Sequence, residues 1–266
     1  MQNLRVTAIQ TSLHWENVEA NLKHFDKQLN LITDPTDIIV LPEMFTTGFA
    51  IDRIQIAEEH GGKGLQWMLL KAKEKNAALV GSIAIKEDNK LYNRLYWVEP
   101  KGKILYYNKR HLFRMAGEHK YFSAGEKKII IEYKGWKICP QVCYDLRFPV
   151  WSRNKWDQIN NELLAEYDVL IYVANWPELR SYPWKQLLLA RAIENQAYVI
   201  GVNRIGLDAN NINHSGDSVV INPRGEILSS IKPHQDSFET IELKADYLLD
   251  FRKSFPVGMD ADSFDL

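Results

Sequence analysis

The feature that most constrains this chain is a long succession of short apolar segments, some separated by helical patterns and others by tight turns. Runs at Leu4–Gln10, Asp37–Leu41, Ala78–Ile85, Asn93–Val98, Lys103–Tyr107, Lys128–Glu132, Trp136–Val142, Asp168–Val173, Ala197–Asn203, Ser218–Asn222 and Phe238–Ile241 are strand-sized and rich in Val, Ile and aromatic residues. From Glu16 to Leu31 the periodicity changes: Val18, Leu22, Phe25, Leu29 and the following Ile32 recur at spacings of three and four, which predicts an amphipathic helix. Leu65–Lys75 and Trp184–Asn195 behave likewise, and Asp246–Phe251 reads as a short last helix. Turns are expected at Pro100–Lys103 and Pro223–Glu226, and the polar run Asp208–Ser215 reads as a surface loop. This pattern predicts an α/β protein with a mixed sheet or two packed sheets. With no linker, repeat or low-complexity stretch, residues 1–266 read as one domain.

Composition narrows the function classes. The net charge of −1 supplies no global field toward nucleic acid or an anionic membrane, so neither is an expected partner. No apolar stretch approaches the length of a membrane span, and the N-terminal residues lack a signal-peptide pattern. Two cysteines in a chain this long do not form a disulfide framework. In a strand Cys139 and Cys143 would stand roughly 13 Å apart, beyond disulfide reach, and Pro140 argues against a helix there. A cytoplasmic location follows as the expectation. The seven His and two Cys form no motif of zinc-site spacing, and no metal or other cofactor is expected.

Four places carry candidate chemistry. Glu43 follows the apolar run Asp37–Leu41, where α/β sheets tend to place their sites, although it could simply cap the next segment. Tyr107–Phe113 ends a strand and crowds Lys109, Arg110 and His111 together. The plain reading is a basic, solvated loop, and His111 beside Leu112 and Phe113 reads as a hydrogen-bonded structural residue. Glu118, taken alone, is an ordinary loop carboxylate. Cys143 ends the strand Trp136–Val142 at what reads as a strand-to-helix junction. Backbone N–H groups and the positive end of a helix there would lower its pKa and could cradle an oxyanion. Cys139, inside the strand, reads as a small buried hydrophobe.

Taken together, Pro42-Glu43 after a strand, Lys109-Arg110-His111-Leu112-Phe113, and Cys143-Tyr144-Asp145-Leu146-Arg147-Phe148-Pro149 resemble the three signature blocks of the nitrilase, or carbon–nitrogen hydrolase, superfamily, in that family's order. Val173–Pro177, Ala190–Gln196 and Gly216–Gly225 resemble its later segments, so the likeness runs from about Val6 to Pro256. It implies a four-layer α-β-β-α sandwich of two packed mixed sheets, and commonly a homodimer formed through helix contacts. It also implies that Cys143 is the nucleophile, Glu43 the general base, and Lys109 an oxyanion cation beside the Tyr144 backbone N–H. Glu118 fits the family's second glutamate, in the loop seven residues before Gly125.

Within that superfamily Val142–Asn154, Tyr172–Pro177 and Arg191–Val199 resemble the omega-amidase, or 2-oxoglutaramate amidase, branch. That implies a thiol amidase acting on small dicarboxylic acid monoamides such as 2-oxoglutaramate and 2-oxosuccinamate. Phe45 and Trp176 are candidates for the pocket sides. Arg147 is a candidate carboxylate anchor, with a structural salt bridge below the nucleophile turn as its plain alternative. The same residues would serve a nitrilase, an N-carbamoyl hydrolase or an aliphatic amidase. A catalytically silent binding module is the reading from a different class.

Overall fold

The computed structural model describes residues 1–159, 162–262 and 264–265. Its strands gather into two large sheets. The first runs in the order Ser237–Leu243, Leu4–Gln10, Ile38–Val40, Ala78–Glu87, Lys90–Val98, Ile104–Asn108, with Glu58–Glu59 added along Ala78–Glu87. The second runs Val219–Ile221, Tyr198–Asn203, Val169–Ala174, Trp136–Val142, Ile131–Tyr133. Each is mixed: the three middle strands of the second sheet are parallel and its two edge pairs antiparallel.

The period-two pattern decides which face each side chain takes. Val6, Ala8, Ile38, Val40, Ala78, Val80, Leu95 and Trp97 turn inward and pack with Ile138, Val142 and Ile171 of the second sheet. Their alternates Ile9, Ile39, Leu79 and Tyr96 turn outward, against Leu22, Phe25 and Leu29 of helix Val18–Leu31 and Leu65, Met68 and Ala72 of helix Lys63–Lys75. Burial on both faces explains why Asp37–Leu41 reads as a continuous apolar run. Helix Ser181–Asn195 covers the outer face of the second sheet so closely that a Cβ on Gly201 would stand 2.5 Å from Leu188 Cδ1. The result is the α-β-β-α sandwich.

The helix boundaries shift for local reasons. The first helix starts at Val18 rather than Glu16, because Asn17 caps it by accepting a hydrogen bond from the Ala20 N–H at 3.0 Å. Lys63–Lys75, Ser181–Asn195 and Ala245–Ser254 extend the shorter helices read from periodicity. The expected strand Lys128–Glu132 is confined to Ile131–Tyr133. Asp208–Ser215 is only partly a loop: Asn213–Ser215 pairs with Ile205–Leu207, and His214 and Ser215 are buried. Its polar composition hid this hairpin, because the buried polar groups are satisfied by hydrogen bonds. No helix among the described residues is long and apolar enough to cross a membrane.

Candidate active site

Three of the four catalytic candidates lie just beyond the carboxyl end of a strand, and Glu118 opens the 3-10 turn Glu118–Lys120 in the loop after Lys109. Glu43 follows Ile38–Val40, Lys109 follows Ile104–Asn108, Cys143 follows Trp136–Val142 and Asn175 follows Val169–Ala174. The packing of the two sheets therefore brings strand ends from both to one place.

Lys109 is fully buried between two fully buried carboxylates. Its Nζ donates to Glu43 Oε1 at 2.9 Å and to Glu118 Oε1 and Oε2 at 3.1 and 3.0 Å. Burial alone would push this ammonium down. The charges of Glu118, Glu43 and Cys143 outweigh that and hold it above the ordinary lysine range. The Glu118 carboxyl is raised, chiefly by desolvation, with Lys109 opposing and Glu43 adding to the rise. Two buried carboxylates around one ammonium thus favour keeping a proton within the cluster.

Glu43 is held from several sides. Asn93 Nδ2 donates to its Oε1 at 2.7 Å and the Asn175 N–H to its Oε2 at 2.7 Å, while Asn175 Nδ2 reaches its backbone carbonyl. Asn93 also donates to Glu118 at 3.3 Å. The loop carrying Glu118 is fixed at both ends. The Phe113 N–H donates to Glu118 Oε2, and the Gly125 N–H donates to the Lys109 carbonyl at 2.9 Å. A Cβ on Gly125 would fall 2.0 Å from the Asn108 carbonyl oxygen, so only glycine allows this approach.

Cys143 sits in the left-handed region at φ +46°, an uncommon conformation for a residue with a side chain. The strand before it tolerates Pro140, because its antiparallel neighbour ends at the Ile131–Ile138 pair and no ladder bond from Pro140 is needed there. The turn is pinned by Asp145, whose Oδ2 accepts from the Val142 N–H at 3.0 Å and the Tyr107 hydroxyl at 2.8 Å. Asp145 Oδ1 accepts from the His111 N–H and pairs with His111 Nδ1. His111 stacks on Phe148 at 3.7 Å. It serves the turn as a structural residue.

The expected lowering of the Cys143 thiol does not occur. Burial pushes it well above its ordinary value, Glu43 adds to the rise, and Lys109 only partly opposes. The segment after Cys143 is a 3-10 turn, Cys143–Arg147, followed by the four-residue helix Pro149–Ser152, too short to supply a strong terminal field. The resting group is a thiol facing a carboxylate able to take its proton. Cys139 is likewise free and buried, and burial pushes it up to about 12. The Tyr144 backbone N–H lies in the first turn of the 3-10 segment Cys143–Arg147, where N–H groups generally have no acceptor within their own turn.

A cavity of about 340 Å³ opens beside Asn175, lined among others by Phe49, Phe113, Pro177 and His214. Of the pocket candidates, Trp176 is buried next to it, with the Arg147 guanidinium 5.0 Å over its ring. Arg147 makes no ion pair or hydrogen bond among the described residues, so the structural salt bridge is not there. Phe45 is misplaced as a pocket wall: it packs with Phe25 and Trp67 in the outer core. Met44, at φ +43°, turns the chain so that Glu43 and Phe45 face opposite ways. Phe49, not singled out from sequence, is an aromatic at the site, 5.2 Å from Lys109 Nζ. Asn93, Asn175 and Asp145 were also missed.

Known proteins resemble the chain over its whole length. The chain is 48% identical to omega-amidase YafV of Escherichia coli (strain K12), covering 100% of both chains. It is 32% identical to 2-oxoglutaramate amidase of Bacillus subtilis (strain 168), covering 96% of each. Superposition on XC1258 from Xanthomonas campestris, a CN-hydrolase superfamily protein with an arsenic adduct in its active site, gives a TM-score of 0.96 at 40% identity over 100% of both chains. Saccharomyces cerevisiae Nit3 shares the fold at a TM-score of 0.81 and 24% identity, over 96% of this chain and 95% of that one. Residues 5–248 match the carbon–nitrogen hydrolase family, and the chain belongs to it.

Proposed function

We propose that this enzyme hydrolyses the terminal amide of small dicarboxylic acid monoamides, 2-oxoglutaramate and 2-oxosuccinamate foremost, to the acid and ammonia. The observation that carries the chemistry is the buried cluster in which Lys109 bridges Glu43 and Glu118 against the Cys143 thiol. The substrate class draws on the omega-amidase and 2-oxoglutaramate amidase relatives and on Arg147, a guanidinium without an acidic partner suited to a substrate carboxylate. Asn175, whose N–H holds Glu43, also lines a cavity of about 340 Å³, a size that suits a small molecule.

In this mechanism Glu43 takes the thiol proton as Cys143 sulfur attacks the amide carbon. The carbonyl oxygen becomes an oxyanion beside Lys109 Nζ and the Tyr144 N–H. Protonated Glu43 gives its proton to the departing nitrogen, and ammonia leaves a thioester on Cys143. Glu43 then takes a proton from water, the hydroxyl adds to the thioester carbon, and collapse releases the acid and returns the proton to sulfur. Glu118 orients Lys109 and keeps a second carboxyl near the proton traffic. The raised thiol makes the base necessary: the nucleophile is generated when substrate is in place.

One domain spanning residues 1–266, a cytoplasmic setting and a homodimer complete the proposal. The dimer is supported by large apolar side chains left exposed on and around helix Ser181–Asn195, notably Leu179 at 89%, Tyr182 at 75% and Ile193 at 51%. Sedimentation equilibrium should give twice the chain mass.

The test is a side-by-side assay of ammonia and carbon dioxide release from 2-oxoglutaramate, 2-oxosuccinamate, an aliphatic nitrile and an N-carbamoyl amino acid. Ammonia without carbon dioxide, from the amides first, is the expected result. A preference for the nitrile, or carbon dioxide from the carbamoyl compound, moves the protein to another branch with the cysteine chemistry intact.

A further inference from the structure

Several arginines of this chain are neutralised locally. Arg94 pairs with Glu87, Arg191 with Glu194 and Arg252 with Asp168. Two arginines beside the candidate site are not. Arg147 lies over the Trp176 ring. Arg180 ends the 3-10 turn Glu178–Arg180, immediately downstream of Asn175, Trp176 and Pro177. Its backbone carbonyl accepts the Trp176 indole N–H at 2.7 Å, which ties the turn to the wall under Arg147. Its guanidinium stands 5.7 Å over Phe113, a cavity-lining ring, and its Nη2 lies 3.0 Å from Met115 Sδ. A thioether is a poor acceptor for a guanidinium, and no carboxylate pairs with Arg180 among the described residues. Phe113 in turn packs on Tyr144 at 5.1 Å, one residue from the nucleophile. Arg180 is therefore linked on one side through Trp176 to Arg147, and on the other through Phe113 and Tyr144 to the residue after Cys143.

We infer that Arg180 is a second substrate-binding cation, which with Arg147 holds the 2-oxo acid head of the substrate and excludes an α-ammonium. The inference rests on the monoamide reading above and deepens it. A 2-oxo acid presents only acceptors at that end: two carboxylate oxygens and the adjacent ketone oxygen. Two guanidinium groups match that array, since they donate and cannot accept. An amino acid amide such as asparagine carries an ammonium where the ketone would be, and would set a third cation beside two. The acids that line the cavity are engaged elsewhere. Asp208 accepts the Asn210 and Ile212 N–H groups of its own loop, and Asp52 sits beside Arg53. Lys109 is neutralised by Glu43 and Glu118, but Lys120 at the cavity rim together with Arg147 and Arg180 outnumbers Asp52 and Asp208, which leaves the balance cationic. His214, also in the lining, is held neutral by burial near neutral pH.

The test compares kcat/KM for 2-oxosuccinamate, asparagine and butyramide in the wild type, Arg180→Gln, Arg180→Lys and Arg180→Glu, with circular dichroism confirming that each variant folds. Arg180→Gln should lower the 2-oxosuccinamate to butyramide ratio by about 10–10²-fold, the worth of a charged hydrogen bond, with the loss mainly in KM. Arg180→Lys should restore part of it, and Arg180→Glu should raise the asparagine to 2-oxosuccinamate ratio. An equal loss on all three compounds, or unchanged ratios, would overturn the inference and leave the amidase reading standing. A wild type that hydrolyses no dicarboxylic monoamide would overturn that reading, and this inference with it.

Discussion

The Asp145 carboxylate holds His111 twice, accepting from its backbone N–H at 2.9 Å and pairing with its ring Nδ1 at 2.8 Å. Because Asp145 lies two residues after Cys143 and His111 two after Lys109, this contact locks the nucleophile turn to the lysine segment. The same carboxylate takes the Val142 N–H and the Tyr107 hydroxyl. Asp145→Ala would leave all of these buried or half-buried donors without their acceptor. We expect a loss of about 3–5 kcal/mol in unfolding free energy, measured by urea denaturation. A loss under about 1 kcal/mol would show that the turn is held by other contacts.

Cys143→Ala should abolish amide hydrolysis, whereas Cys139→Ala should retain most of it. Cys139 is within the strand, fully buried, with its thiol pushed up to about 12 by desolvation, and touches none of the carboxylates of the cluster. Cys143→Ser should also be severely impaired, because a hydroxyl ionises far less readily than a thiol. Steady-state rates of the folded variants decide the matter. Comparable activity in the two alanine variants would remove Cys143 as nucleophile.

Lys109→Arg should be nearly as damaging as Lys109→Ala. The ammonium occupies a fully buried slot between Glu43 and Glu118, where a planar guanidinium cannot present a single compact donor in the same place. A fall in kcat on the order of 10²–10³ is expected for loss of one oxyanion donor. Glu43→Gln should block both acylation and thioester hydrolysis. A single-turnover burst of ammonia from that variant would show that the first step proceeds without Glu43.

Much of this site was legible in the sequence because each signature residue follows an apolar strand in a short contiguous block. Position alone marked Glu43, Lys109 and Cys143 only as candidates; the resemblance of their blocks to the carbon–nitrogen hydrolase signatures assigned their roles, and Glu118 was assigned by that resemblance alone. Asn93 was marked by neither. It meets Lys109 through strand pairing, in which the Lys109 N–H donates to the Asn93 carbonyl at 2.9 Å, and nothing in sixteen residues of separation announces that register. Asn175 reaches Glu43 only because the two sheets pack face to face. Phe45 was chosen for its nearness to Glu43 in sequence, and the left-handed Met44 sends it the other way. The thiol was expected to be lowered because a strand end suggested a helix terminus. Burial and the Glu43 charge, both tertiary effects, reversed the sign.

His214 gives the fold a pH dependence. It is 3% exposed, and burial, with the Arg204 charge adding, pushes its imidazole down to about 4 from 6.5. In the unfolded chain the ring takes a proton near 6.5 and in the folded protein only near 4. Its contribution to stability is therefore intact above 6.5 and is lost as pH falls toward 4, by at most on the order of 3 kcal/mol. Urea midpoints at pH 7 and pH 4.5 should differ less for His214→Gln than for the wild type. An identical pH dependence in the two proteins would mean that His214 titrates normally.

The most direct measurement is steady-state ammonia release by the wild-type enzyme from 2-oxosuccinamate and from butyramide, a neutral amide of similar length. Guanidinium groups at the site and a carboxylate on the substrate predict a kcat/KM for 2-oxosuccinamate higher by at least about 10²-fold, equivalent to roughly 2.7 kcal/mol of transition-state binding. Equal values for the two amides would contradict the account.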